Sequence, residues 1–221
     1  IRKKCGVIFW KIFVVCLIVA GVIGISTGVG AVKGILASAP DISEIDVIPT
    51  GYSTTVLASD GSEIATLVAE GSNRQYVTLD EIPKDLQHAV VAIEDERFYE
   101  HNGIDLKGIA RALVTDIKAM DFSQGASTIT QQLIKNNVLT EQWTNENEGK
   151  ISKLEKMERQ VQRKIQEMYI AVELEKKVDN KDWILENYLN SINLGSNTLG
   201  VQAAAQRYFG KDVSELTLSE C

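Results

Sequence analysis

Apolar and polar positions along this chain fall into three regimes. From Ile12 to Val32 run 21 residues without a charge, about 31 Å as a helix at about 1.5 Å per residue, enough to cross the hydrocarbon of a bilayer. After Pro40 to Gly51, which reads as a linker, two short apolar runs, Thr54 to Ala58 and Glu63 to Val68, flank Ser59-Asp60-Gly61-Ser62. That is the pattern of a β-hairpin closed by an Asp-Gly turn. From Pro83 onward the spacing lengthens to threes and fours. Leu86, Ala89, Val90 and Ile93 mark one helix behind Pro83, and Leu106 to Ala119 a second. Gly125 is expected to open a third, carrying Ile129, Gln132 and Leu133. Asn136 to Gly149 reads as a mobile polar loop whose Val138, Leu139 and Trp143 could touch lipid. Ile151 to Val178 predicts a long helix, Lys181 to Asn190 a short one, and Gly200 to Tyr208 an Ala-rich one able to pack closely. Ser214 reads as the N-cap of a last helix that brings Leu216 and Leu218 inward. The pattern predicts a mainly α-helical domain with a small β-hairpin, preceded by one transmembrane helix.

Charge sharpens the division. Arg2, Lys3, Lys4 and Lys11 precede the apolar run, which favours a cytoplasmic N-terminus and an extracytoplasmic C-terminus. The organisation expected is a cytoplasmic tail at 1–11, a transmembrane helix at 12–32, a linker at 33–53 and the main domain at 54–221. A cleaved signal peptide is the competing reading, with Ala37-Ser38-Ala39 as its cleavage site, but the apolar stretch is long for one. The first 40 residues hold five Lys or Arg and no acid, and the remainder holds 18 basic against 30 acidic residues, a net of −12. A domain this acidic is a poor partner for nucleic acid. Any anionic substrate must then be met by a few local cations. Three Cys, with Cys5 and Cys16 in or beside the apolar run, make no disulfide framework, and two His make no His-rich metal site. The chain opens on Ile and stops at Cys221, so a fragment is expected, ending inside a domain.

Two segments carry candidate chemistry. Glu94-Asp95-Glu96-Arg97-Phe98-Tyr99-Glu100-His101-Asn102-Gly103 sets an acidic pair behind the apolar run Ala89 to Ile93. A carboxylate held at the edge of a core can have its proton affinity raised by desolvation, which suits a general base. Gly125-Ala126-Ser127-Thr128-Ile129-Thr130-Gln131-Gln132 brings small and amide side chains to a tight turn before a helix, where amides and hydroxyls can meet sugar or phosphate oxygens. Taken singly, the first is an ordinary solvated helix end and the second an ordinary N-cap. Arg163, Gln166 and Glu167 share a helical face, and in isolation they are an exposed ion pair. Ile184-Leu185-Glu186-Asn187-Tyr188-Leu189-Asn190 and Gly200-Val201-Gln202-Ala203-Ala204-Ala205 are, in isolation, helices and no more.

In this order, the five segments resemble the glycosyltransferase family 51 domain, the peptidoglycan glycosyltransferase of class A penicillin-binding proteins. The motifs Glu-Asp-x-x-Phe-x-x-His-x-Gly, Gly-x-Ser-Thr-Ile-Thr-Gln-Gln, Arg-Lys-x-x-Glu, Ile-Leu-Glu-x-Tyr-Leu-Asn and Gly-x-Gln-Ala-Ala-Ala all occur, between Thr54 and Cys221. One departure is Ala126, where Gly is frequent in the family. The resemblance implies a lysozyme-like glycosyltransferase domain that polymerises lipid II into β-1,4-linked glycan with inversion and release of polyprenyl diphosphate. It implies Glu94 as the base and Glu167 as a second acid that orients the site or a cation. Lys135, Arg163 and Lys164 would meet the leaving diphosphate. Ser127, Thr128, Gln131 and Gln132 would bind sugar or phosphate oxygens. Asp95 is grouped with the substrate-binding residues, with holding the helix end as its alternative part, and Phe98, His101 and Gly103 shape the fold around the acid.

No cofactor is required by the resemblance, and no metal ligand set is legible, although a divalent cation such as Mg²⁺ could assist the diphosphate. The implied partners are lipid II, the growing strand, the bilayer and other cell-wall synthesis and division proteins. A lytic hydrolase would need no cations gathered against a diphosphate, and a non-catalytic scaffold would need no intact acids. Lys164 in a charge-rich helix is expected to contribute little to stability.

Overall fold

The computed structural model describes residues 2–40, 47–49, 51–67, 73–119, 125–139, 152–196 and 198–221. Two compact units, Ile1–Ala39 and Pro40–Cys221, make up the chain. The first is a single helix, α1 (Arg2–Ala37). It outruns the apolar stretch at both ends, because charged residues such as Lys11 and Lys33 continue a helix as readily as apolar ones. Its segment Trp10–Ala37 is long and apolar enough to cross a membrane, its most apolar stretch having a mean hydropathy of 2.6 and no residue buried.

In the second unit, β1 (Thr54–Leu57) and β2 (Glu63–Leu67) pair antiparallel, with Thr54 opposite Leu67 and a bulge between Val56 and Leu57. The Asp-Gly turn forms as expected. Asp60 accepts from the Ser62 amide at 2.9 Å and its hydroxyl at 2.6 Å, which holds its carboxyl below the usual range, and Gly61 takes a φ of +85°. Val68, at the end of the expected second strand, lies outside the described residues.

The remaining elements are helical: α2 (Lys84–Glu94), α3 (Leu106–Ala119), α4 (Ile129–Ile134), α5 (Lys153–Val178), α6 (Lys181–Leu189) and α7 (Val201–Phe209). Caps explain their ends. Ser152 accepts from the Glu155 amide at 3.2 Å, Asn180 from Trp183 at 3.1 Å, and Asp179 closes α5 in the left-handed conformation at φ 46°. Three expectations need correction. Gly125 does not open α4, since Gly125 to Thr128 stay non-helical and Thr128 is the cap. Ser214 does not cap the last turn either; Asp212 caps a 3₁₀ turn at Val213–Glu215, its carboxylate accepting from Ser214. Leu139 is fully buried and Val138 packs against the core, at the end of a π-helical turn over Lys135–Leu139. Neither is free to meet lipid, and Trp143 lies outside the described residues.

The core gathers around α4. Ile129, Leu133 and Ile134 are fully buried against Ile170 and Leu174 of α5 and against Leu185, Tyr188 and Leu189 of α6. A six-residue helix is too short to hold itself in water, so this packing is what keeps it formed. Its buried Thr130 donates to Glu175 of α5, and Glu175 pairs with Lys181 of α6 at 2.7 Å. The Lys181 ammonium lies 4.5 Å from the centre of the Phe98 ring. Three helices and the segment after Glu94 are thereby tied at one point.

Candidate active site

Glu94 is the last residue of α2, and Asp95 is its C-cap. The two carboxylates diverge because the backbone leaves the helix between them. Asp95 turns inward: it is 7% exposed, accepts from the Ile129 amide at 3.0 Å, and lies 3.0 Å from His101 Nε2 through either oxygen. Both of its oxygens are thus taken up within the protein and not aimed at a substrate. His101 Nε2 donates in this pair, and its Nδ1 is buried without a hydrogen-bond partner. Glu94 turns outward. It is exposed, and Ile93 before it is 82% exposed, so the apolar run does not desolvate it. Val90 and Val91, one turn earlier on the same face of α2, do reach the core, but at the helix end the Glu94 side chain stays in solvent. What holds Glu94 is Gln132, whose Nε2 donates to Oε2 at 2.8 Å.

The segment from Asp95 to Gly103 folds back onto α4 from both ends. Phe98 is fully buried. Gly103 has a φ of +81°, and a Cβ there would lie 2.7 Å from the Ala171 carbonyl group of α5, so only glycine fits. The Gly103 carbonyl accepts from Thr128 Oγ1 at 2.8 Å and from Gln131 Nε2 at 3.2 Å. Thr128, whose Oγ1 also accepts from the Gln131 amide at 3.2 Å, is thereby a clasp inside the protein.

Across α4 stands α5. Lys164 Nζ donates to Ser127 Oγ at 2.6 Å, to Gln131 Oε1 at 2.9 Å and to Glu167 Oε2 at 3.2 Å. Arg163 Nε lies 3.3 Å from Glu167 Oε1, an ion pair in which neither atom makes a hydrogen bond. Glu167 is only 3% exposed, so it serves as the buried counter-charge beneath two cations that stay partly open to solvent. Lys135 caps the C-terminal end of α4, exposed, one turn beyond Gln131 and Gln132.

Two residues that sequence reasoning passed over join the site. Arg111 of α3 shares with Glu94, Ser127 and Thr128 the lining of a small polar cavity of about 40 Å³. It pairs with Glu96 at 2.9 Å, and that hydrogen bond holds the Glu96 carboxyl below its ordinary range. Nothing in its spacing marks it out. Tyr188 of α6 donates to Gln132 Oε1 at 3.2 Å. Its segment was noted for its order along the chain, but an aromatic at core spacing reads as packing. Among the described residues no group of three or more His, Cys, Asp or Glu side chains is gathered to hold a metal ion, and no step below is routed through one.

Consecutive residues of one helix therefore hold the two halves of the site, Gln132 the outward carboxylate and Gln131 the Lys164 cation. Such an arrangement can take a proton at one wall and meet an anionic leaving group at the other, the kit of a group-transfer enzyme. Comparison with known proteins agrees. The model of the family described as Transglycosylase matches residues 60–221. Penicillin-binding protein 1A of Clostridium perfringens (strain 13 / Type A) is 41% identical over 217 residues, 96% of this chain and 29% of the relative. Penicillin-binding protein 1A/1B of Bacillus subtilis (strain 168) is 37% identical over 220 residues, 99% of this chain and 22% of the relative. Penicillin-binding protein 1F of the same organism is 42% identical over 168 residues, 76% of this chain and 21% of the relative. The chain belongs to the transglycosylase family, a class of glycosyl-transferring enzymes. It spans between a fifth and three tenths of the length of these relatives.

Proposed function

We propose that this chain is a peptidoglycan glycosyltransferase that polymerises lipid II at the outer face of a bacterial cell membrane, to which α1 anchors it with a cytoplasmic N-terminus. Glu94 Oε1, the oxygen that Gln132 leaves open, takes the proton from the 4-hydroxyl of the acceptor GlcNAc. The 4-hydroxyl oxygen, as it loses that proton, attacks the anomeric carbon of the growing strand, and the bond to the diphosphate breaks with its electron pair on the leaving phosphate oxygen. Attack from the face opposite the leaving group turns an α-linked donor into a β-1,4 glycan. Lys164, Arg163 and Lys135 receive the charge that develops on the departing diphosphate, with Glu167 keeping the first two in place. Ser127 and the Gln131 amide orient Lys164. The substrates are lipid II and the strand, and proteins of cell-wall synthesis and division are the further partners.

The observation that carries this reading is that successive residues of α4, Gln132 and Gln131, hydrogen-bond the acid Glu94 and the cation Lys164. It supplies both charges the reaction needs from one short helix. The test is conversion of lipid II to glycan polymer by the detergent-solubilised chain, read on a gel. Glu94→Gln keeps the shape and the Gln132 contact, and it is expected to lower polymer formation about 10²–10⁴-fold, the usual cost of a lost general base. Polymer at the wild-type rate would end the assignment, and release of soluble disaccharide in place of polymer would make the enzyme a hydrolase.

A further inference from the structure

Gln132 has both ends of its side-chain amide committed. Nε2 donates to Glu94 at 2.8 Å, and Oε1 accepts from the Tyr188 hydroxyl at 3.2 Å. Tyr188 itself is fully exposed to nothing but protein: its ring is buried in the core, set by α6 between Leu185 and Leu189. A primary amide has two orientations, and they differ greatly beside a carboxylate. With NH₂ toward Glu94 both ends of Gln132 are satisfied. Flipped, its carbonyl would face the Glu94 carboxylate, acceptor against acceptor.

We propose that Tyr188 is a positioning residue for the catalytic base, its hydroxyl fixing the Gln132 amide so that Gln132 holds Glu94 Oε2 and leaves Oε1 for the acceptor proton. This inference rests on Glu94 being the base. A donor suits the place for a second reason. Burial first, then the charges of Glu94 and Asp95, push the Tyr188 phenol above its ordinary range, so it keeps its proton at any working pH. The chain Tyr188, Gln132, Glu94 therefore runs from a rigid core residue to an exposed carboxylate. It does for Glu94 what its exposed surroundings cannot do, which is restrict its rotamers.

Tyr188→Phe tests this, because the ring and its packing remain and only the hydroxyl is lost. With lipid II as substrate, kcat is expected to fall about tenfold while KM changes little, the signature of a contact that matters to the transition state. The other charged groups near Glu94, namely Asp95, Asp105 and Arg111, are untouched by the change. Gln132→Ala combined with Tyr188→Phe should be no slower than Gln132→Ala alone, because Tyr188 acts through Gln132. A Tyr188→Phe enzyme with an unchanged kcat, with a raised KM in place of a lowered kcat, or with losses that add to those of Gln132→Ala, overturns the proposal. Glu94→Gln in parallel separates the two levels of inference: if it polymerises normally the base assignment falls, and if it is inactive while Tyr188→Phe is unimpaired only the positioning role falls.

Discussion

Glu94 and Asp95 are neighbours in the sequence and occupy opposite environments, and only the inward one is shaped by burial. The order of the motifs was enough to mark both. The resemblance gave Glu94 the base's part and left Asp95 two parts, and the choice between them depends on where α2 ends, which the pattern along the chain does not fix to one residue. Lys164 shows the same limit. In sequence it is one charge among many on a long helix, with the small contribution of an exposed pair. In the structure it bridges Ser127, Gln131 and Glu167, and Glu167 is 3% exposed. Lys164→Met should therefore destabilise the fold by about 1–3 kcal/mol, since it leaves a buried carboxylate short of a partner, and not by the roughly 0.2–1 kcal/mol of a surface pair. Urea denaturation at neutral pH measures this directly, and an unmoved midpoint would return Lys164 to the surface class. Polymer formation should fall further than the folded fraction does.

At the scale of elements, helices with continuous apolar periodicity were well read: α3 runs over Leu106–Ala119 as expected, and α5 and α6 differ from expectation by one or two residues. Short α4 was placed through Ile129, Gln132 and Leu133, but its start was not, since the expected opening at Gly125 lies four residues before the helix begins. Its N-terminus is set by a tertiary clasp on Gly103 that no local pattern reveals. The segment after Glu94 is also fastened to the start of α3, where Arg97 donates to Asp105 through Nε at 3.1 Å and through Nη2 at 2.5 Å. The Arg97 hydrogen bonds hold the Asp105 carboxyl below its ordinary range. A carboxylate depressed in the folded state contributes its stability above its unfolded pKa, about 3.9, and loses it as pH falls through the lower folded value. Asp105→Asn should thus be destabilising at pH 7 by comparison with the unaltered chain, and the difference should close as the pH drops below about 4. Thermal unfolding of the two proteins across pH 2–7 would show it, and a difference that stays constant with pH would rule the pair out as its source.

For the whole molecule, the apolar run was the plainest feature of the sequence, and charge asymmetry around it gives a direction that a single helix cannot. The proposed topology puts Cys5 inside the cell and Cys221 outside. A membrane-impermeant maleimide should label Cys221 in intact cells and reach Cys5 only after lysis, and the reverse pattern would place the site on the wrong face for its substrate. Burial raises the Cys221 thiol above its usual range, so labelling is best run at mildly alkaline pH. One contact governs how the two walls of the cleft face each other. Gly103 meets α5 through main chain alone, its would-be Cβ 2.7 Å from the Ala171 carbonyl carbon and oxygen. Drift elsewhere in the core can be absorbed by trimming one side chain as another grows. At this contact no neighbour has a side chain to trim. The approach of the acid's segment to the helix of the cations is therefore set here by main chain against main chain, and any side chain in place of Gly103 would have to push the two apart.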